Sequence, residues 1–231
     1  MPLFFTPLAL WGLIIFGLSF IGVAAIRRWA LSRQIVDIPN ERSSHTQPTP
    51  VGGGLPILAL TLASLMLLKP LGFGVSWTAV LSYAAGAGLV AVVSWLDDLK
   101  SLPVGVRLAA HSAGALVALV SFGPWTIVSI PFIGAVDLGA WGALVTFLWI
   151  VGLTNAFNFM DGVDGIAGTQ AVMAGLGWAG LGCWSESPLV CAISIFVVAS
   201  TLGFLPHNWP PARIFMGDVG STFLGYTFAV L

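Results

Sequence analysis

Charge is what this chain has least of. Only 7% of its residues are Asp, Glu, Lys or Arg, against 58% hydrophobic residues and a mean hydropathy of +0.99. That balance, with several apolar stretches of about twenty residues, excludes a soluble domain and predicts a polytopic helical membrane protein. The net charge of −1 is uninformative by itself, because in such a protein the distribution of charge over the loops carries the information. No nucleic-acid partner is expected. Cysteine occurs only twice, at Cys183 and Cys191, and the chain lacks internal repeats and a low-complexity tail. Basic residues are also missing ahead of the first apolar run, near residues 3–26, while Arg27, Arg28 and Arg33 follow it. This order fits an uncleaved anchor with the amino terminus outside, not a signal peptide.

Further spans are predicted near 55–72, 77–96, 104–122, 139–154, 166–183 and 189–205, with an eighth beginning near Ser221. The expected architecture is therefore all-α, a single integral membrane domain over residues 1–231 with about eight spans, the last incomplete. Alternating the loops places Arg27, Arg28, Arg33, Arg42, Lys100, Arg107 and Arg213 inside and only Lys69 outside, which agrees with the positive-inside rule. Asp37, Glu41, Asp97, Asp98, Asp161, Asp164 and Asp218 fall on the same inner side, leaving Asp137 and Glu186 outside. Acidic residues do not obey that rule. Their gathering on one face points to a cytoplasmic active site built by four loops.

On the outer side, residues 126–138 are rich in Ile and Val and are broken by Pro131 and Gly134, a pattern for a small hairpin. Cys183 and Cys191 flank a short outer loop where a disulfide is permitted, but two buried apolar thiols are the favoured expectation.

The most informative stretch is 155–165, set between two apolar runs. Asn155, Asn158, Asp161 and Asp164 step by three, so each is rotated by about 60° from the last around a helix. Asn155 and Asn158 can share a face. Asp164 would point away from Asn155 on an unbroken helix, so Gly162 and Gly165 are expected to open a loop that turns it back. Carboxamides and carboxylates beside hydrocarbon are costly without partners, and the default reading is a binding or catalytic site.

Three other polar loops accompany it. Residues 37–54 include Arg42, Ser43, Ser44 and His45, which can donate to phosphate oxygens, and Gly52, Gly53 and Gly54, which permit close backbone approach to a ligand. The loop lacks the Lys-Ser/Thr ending of a P-loop, and a turn-rich connector stiffened by Pro48 and Pro50 explains it equally well. Asp97 and Asp98 close the third span. Adjacent on one helix end, they diverge by about 100° and are expected to serve different partners, and their mutual repulsion favours a metal ion, a Lys or an Arg nearby. A solvated helix end beside Lys100 is the alternative. Asp218 sits between Gly217 and Gly220, close to a helix start, where it is either a ligand-accessible carboxylate or a plain cap. His207 is an interfacial donor or a loop histidine, and His111, inside the fourth span, is expected to be a satisfied packing residue.

Taken in order, Arg42-Ser43-Ser44-His45 with Pro48-Thr49-Pro50 and Gly52-Gly53-Gly54, then Asp97-Asp98, then residues 155–164, then Phe215-Met216-Gly217-Asp218-Val219-Gly220-Ser221 resemble the polyprenyl-phosphate N-acetylhexosamine-1-phosphate transferases. These are relatives of the phospho-MurNAc-pentapeptide translocases within glycosyltransferase family 4. The resemblance implies transfer of a sugar 1-phosphate from a UDP-N-acetylhexosamine to undecaprenyl phosphate with Mg²⁺, for which Mn²⁺ can substitute, releasing UMP and initiating a cell-envelope polysaccharide such as O-antigen. It implies a multi-pass enzyme of the bacterial inner membrane, in contact with the lipid bilayer, and it allows a homodimer. By the same analogy Asp97, Asp98 and Asp218 are catalytic, with Asp218 and Asp97 holding metal. Arg42, Ser43, Ser44, His45, Asn155, Asn158, Asp161 and Asp164 contact the substrates.

Elementary chemistry refines the mechanism implied. Two anionic reactants must meet, so neutralising the diphosphate and holding both in line is the main task. A phosphate monoester has a second pKa of about 6 and is mostly dianionic at neutral pH, so a strong general base is not required. Members of the family usually continue through further spans and another His-containing loop. The stretch from Ser221 is too short to cross about 30 Å of hydrocarbon, and a truncated C-terminus is the expectation. Two other classes remain: a secondary transporter, which places polar residues in mid-span, and a CDP-alcohol phosphotransferase, whose signature has an Ala-Arg pair soon after its first Asp-Gly. Here Asp161-Gly162 is followed by Val163-Asp164-Gly165.

Overall fold

The computed structural model describes residues 2–39 and 47–231. The expected loop residues Arg42, Ser43, Ser44 and His45 lie outside the described residues. Eight helices stand among those described: α1 (Pro2–Ser32), α2 (Gly54–Leu68), α3 (Trp77–Lys100), α4 (Val104–Phe122), α5 (Gly142–Met160), α6 (Ile166–Trp184), α7 (Pro188–Asn208) and α8 (Asp218–Val230). Five of them, α1, α3, α4, α5 extended back to Gly139, and α7, are long and apolar enough to cross a membrane. The chain is an all-α polytopic membrane protein. Helices are what such a sequence must form, because in hydrocarbon each backbone N–H and C=O has to be satisfied within its own segment.

Helix α8 is the centre of the bundle. Every residue from Val219 to Ala229 is buried, and α2, α3, α4, α5 and α6 enclose it. Lipid tails are as apolar as Leu, so association rests on close packing and interhelical hydrogen bonds. Both are visible. The Tyr226 hydroxyl occupies the space a Cβ at Gly86 would take and donates to the Gly114 carbonyl at 3.2 Å. Tyr83 and Thr227 share a hydrogen bond of 2.7 Å, and Thr222 donates to Ser94 at 2.8 Å. A second seam joins α1 to α7, where the Ser19 hydroxyl donates to the Ser200 carbonyl at 2.6 Å and Gly203 admits the backbone of Phe16 and Phe20.

The loops at the two ends differ. At one end, β1 (Ile127–Ile130) and β2 (Gly134–Asp137) pair antiparallel with Ile127 opposite Asp137 and Ile130 opposite Gly134, the hairpin expected over 126–138. The α6–α7 connection lies at the same end and corrects the expectation of free thiols: Cys183 and Cys191 are joined in a disulfide, with Cα atoms 5.4 Å apart. Gly182 makes this approach feasible, since a Cβ there would meet the backbone N of Cys191.

At the other end, a short ribbon pairs Val36 with Pro50 and Asp37 with Thr49. Phe215 N–H then donates to the Pro50 carbonyl at 2.8 Å, and the Gly53 and Gly54 N–H groups donate to Phe215 and Met216 carbonyls at 2.9 and 2.8 Å. A side chain at Gly54 would collide with the backbone of Gly220. Of the three glycines expected to permit close approach, Gly53 and Gly54 admit the chain's own α8 entrance, and Gly52 faces the Trp95 ring.

Candidate functional site

The site is assembled by how α3 ends. Ser101 takes a left-handed conformation and returns its N–H to the Asp97 carbonyl, and Pro103 opens α4. This hairpin of helices brings Arg107, in the first turn of α4, back onto α3, where its guanidinium meets the Asp97 carboxylate at 3.0 Å. The other Asp97 oxygen accepts the Leu102 N–H. Asp97 is buried, so a partner of opposite charge is what keeps it there at tolerable cost.

Asp98 faces elsewhere. Its two oxygens accept the N–H groups of Asp218 at 2.8 Å and Val219 at 3.1 Å, capping α8 from a different helix and satisfying donors that a helix start leaves open. Gly217 is required just before them: its φ is +79°, and a Cβ would meet the Asp98 carboxylate at 2.8 Å. The expected divergence of the two adjacent carboxylates is what the structure shows.

Asp218 is held from two sides. One oxygen accepts the Asn158 carboxamide N–H at 2.8 Å, and the other lies 3.7 Å from Arg107. Arg107 therefore bridges two carboxylates. Asn158 donates to the Ser221 hydroxyl as well, at 2.9 Å.

Helix α5 stops at Met160 and the chain turns through residues 161–165 before α6, as the glycines led us to expect. Asp164 comes back to accept the Ala212 N–H at 2.8 Å. Asn208 ties the same loops together, accepting from Gly165 N–H at 2.9 Å and donating to the Ile214 carbonyl at 3.0 Å. Asp161 is half-buried beside this turn. Desolvation, reinforced by the negative charges of Asp218 and Asp98, holds its carboxyl well above the usual carboxylate range.

Two cavities meet here. The first, about 900 Å³, is polar and is lined by Asp97, Asp98, Asp161, Asp164, Asp218 and Arg107, together with Arg33 and Gln34. The second, about 540 Å³, is lined by Asn155, Asn158, His111, Ser94 and Thr222 together with Val104, Leu108 and Phe159. Arg107 and Asp218 belong to both. The four polar residues of the α5 motif are thus divided, Asp161 and Asp164 to the first cavity and Asn155 and Asn158 to the second. Asn155 and Asn158 do share a face. No group of three or more His, Cys, Asp or Glu among the described residues forms a ready metal cage.

Sequence reasoning missed three contributors. Arg107 was counted only as an inner-loop charge, although an Arg at the start of an apolar helix is itself a signal. Asn208, at the end of α7, carries no local signal of the two loops it joins. His111 is buried as expected but only half satisfied: its side chain pairs with Asn155, while Nδ1 has no hydrogen-bond partner.

The sequence profile of glycosyl transferase family 4 matches residues 80–231. Three curated relatives are similar along most of the chain. A probable undecaprenyl-phosphate N-acetylglucosaminyl 1-phosphate transferase of Bacillus subtilis is 36% identical over 89% of this chain and 57% of its own length. A decaprenyl-phosphate N-acetylglucosaminephosphotransferase of Mycolicibacterium smegmatis is 31% identical over 94% and 57%. A phospho-N-acetylmuramoyl-pentapeptide-transferase of Synechococcus is 33% identical over 94% and 67%. The chain spans a little over half the length of the first two. With the profile matched through the helices that carry Asp97, Asp98, Asn158 and Asp218, the chain belongs to glycosyl transferase family 4.

Proposed function

We propose that the protein transfers an N-acetylhexosamine 1-phosphate from a UDP-sugar to undecaprenyl phosphate, releasing UMP and starting a cell-envelope polysaccharide such as O-antigen. The observation that carries this reading is the junction of a polar and an apolar-walled cavity at Arg107 and Asp218. A water-soluble diphosphate and a lipid-borne phosphate need separate approaches and one meeting point. Phe159, 91% exposed, and Val104, 69% exposed, make the second cavity's mouth apolar, which suits a prenyl chain arriving from the bilayer.

Mg²⁺ is part of this reading. The oxygens of Asp97, Asp161 and Asp218 are hard donors lining one cavity with Arg107 and Arg33, and Mg²⁺ takes one or two carboxylates plus substrate phosphates rather than a closed protein cage. Asp218, with Asp97, would hold the ion, which neutralises the diphosphate. Arg107 steadies the two carboxylates and faces both phosphate groups. Asp98 fixes the start of α8, and hence Asp218, from behind. Asp161 and Asp164 line the donor's side, and Asn155 and Asn158 the acceptor's. Because the acceptor phosphate is already dianionic near neutral pH, direct attack on the β-phosphorus needs positioning more than proton removal.

The donor is cytosolic, and the inner-membrane placement with the site facing the cytoplasm follows from it. A disulfide at the opposite end of the bundle supports that orientation, since disulfides persist in oxidising compartments. The reading is tested by incubating membranes containing the protein with undecaprenyl phosphate and a panel of UDP-sugars and following UMP. Release that needs acceptor, Mg²⁺ and a UDP-N-acetylhexosamine is expected. Release of CMP from a CDP-alcohol instead, with no response to any UDP-sugar, would overturn it.

A further inference from the structure

His111 lies in the second cavity and has no role in the scheme above. It is 3% exposed, its Nδ1 is buried without a hydrogen-bond partner, and it lines the wall that it shares with Asn155 and Arg107. Buried polar atoms are almost always paired, and an orphan nitrogen in a functional region asks for an account. Its position supplies one. His111 follows Arg107 by four residues on α4, which places it on the same helix face about 6 Å farther from the polar cavity. The order along the wall is therefore guanidinium, imidazole, hydrocarbon. That sequence of groups matches a phosphate monoester on a long apolar alcohol: charged oxygens at one end, the bridging ester oxygen next, then alkyl chain.

We infer that His111 is a positioning residue for the acceptor, donating a hydrogen bond to the phosphate end of a prenyl monophosphate whose charged oxygens lie at Arg107. The inference rests on the proposed function for the acceptor's identity. Its work is to set how deep the phosphate sits, and so whether an oxygen reaches the donor. Asn155 gives one carboxamide N–H to the Val151 carbonyl at 2.7 Å and pairs with the imidazole through its side chain, which leaves Nδ1 of His111 to make this contact.

The test measures binding and turnover separately, with farnesyl phosphate, farnesol and undecaprenyl phosphate as probes. In His111→Leu, farnesyl phosphate should bind at least about tenfold more weakly while farnesol binding stays within twofold. The acceptor KM should rise and the UDP-sugar KM should not. His111→Gln, which keeps a donor, should restore most of the affinity. The loss should be equal for farnesyl and undecaprenyl phosphate, because the contact is to the head and not to the tail. Equal farnesyl phosphate affinity in wild type and His111→Leu overturns the inference, and so does a loss that falls equally on phosphate, alcohol and donor, which marks a packing role. If the wild type binds farnesyl phosphate through His111 but releases no UMP from any UDP-sugar, the functional proposal fails and the binding role stands.

Discussion

The carboxylate of Asp98 accepts the backbone N–H of Asp218 at 2.8 Å, across 120 residues of chain. One acidic residue thereby places another through its peptide group, leaving the second carboxylate free to face Asn158 and Arg107. A cap of this kind is worth about 1 kcal/mol. Asp98→Ala should lower the thermal midpoint and displace Asp218, with transfer falling more than stability does. Asp98→Asn keeps an acceptor oxygen and should recover most of the midpoint. Unfolding curves and initial rates on the same preparations check both, and an unchanged midpoint in Asp98→Ala would remove the capping role.

If Asp97 or Asp98 had to remove a proton, the rate would fall tenfold per pH unit below its pKa, and both Asn variants would be dead. The expected outcome is different. The wild-type rate should follow the acceptor's own ionisation near pH 6, and at least one of Asp97→Asn and Asp98→Asn should keep that profile at a lower plateau. Loss of all activity in both, with substrates and Mg²⁺ still bound normally, would establish an obligatory base.

Asp218→Asn removes the charge a hard cation seeks, and Mg²⁺-dependent turnover should drop by at least about a hundredfold. Asp161 adds a proton to the same equilibrium. Its raised carboxyl keeps the proton where the unfolded chain has already lost it. This contribution to stability is complete below the ordinary carboxylate range and disappears as pH rises through the raised value. A divalent ion reverses the preference, so binding should release a proton and apparent Mg²⁺ affinity should climb with pH. Calorimetry in two buffers of different ionisation enthalpy measures the proton; none released would leave Asp161 outside the metal's field.

Single cysteines at Ser101 and Ala212 should react with an impermeant thiol reagent only from the cytoplasmic side, and one at Ser185 only from outside. Labelling of Ser101 and Ala212 from opposite faces would dismantle the site.

What was legible beforehand follows from period and cost. Apolar runs announced the helices, and the acidic residues collected on one side announced which end of the bundle carries the chemistry. The break at Gly162 and Gly165 was legible because a helix could not bring Asp164 round. The disulfide was not, since whether Cys183 and Cys191 approach depends on Gly182 letting two helix ends touch. Nor was the use of Gly53 and Gly54, whose N–H groups bind Phe215 and Met216: glycine announces close approach but not to what. The pairing of Arg107 with both Asp97 and Asp218 depends on how α4 turns back after Pro103, a tertiary fact that no local pattern carries.

The enclosure of α8 has a consequence for biogenesis. The helices described around it are all synthesised before it, so as the ribosome works these helices must stand around a vacancy, with Tyr83, Ser94 and the Gly114 carbonyl awaiting partners in hydrocarbon. A bundle of this kind cannot close helix by helix as each leaves the translocon. The early helices have to stay loosely associated, or shielded by an insertase, until Thr222, Tyr226 and Thr227 arrive. Arrested nascent chains ending before Gly217 should therefore crosslink to the insertion machinery at Tyr83, and the crosslink should fade in chains long enough for Thr227 to have left the ribosome.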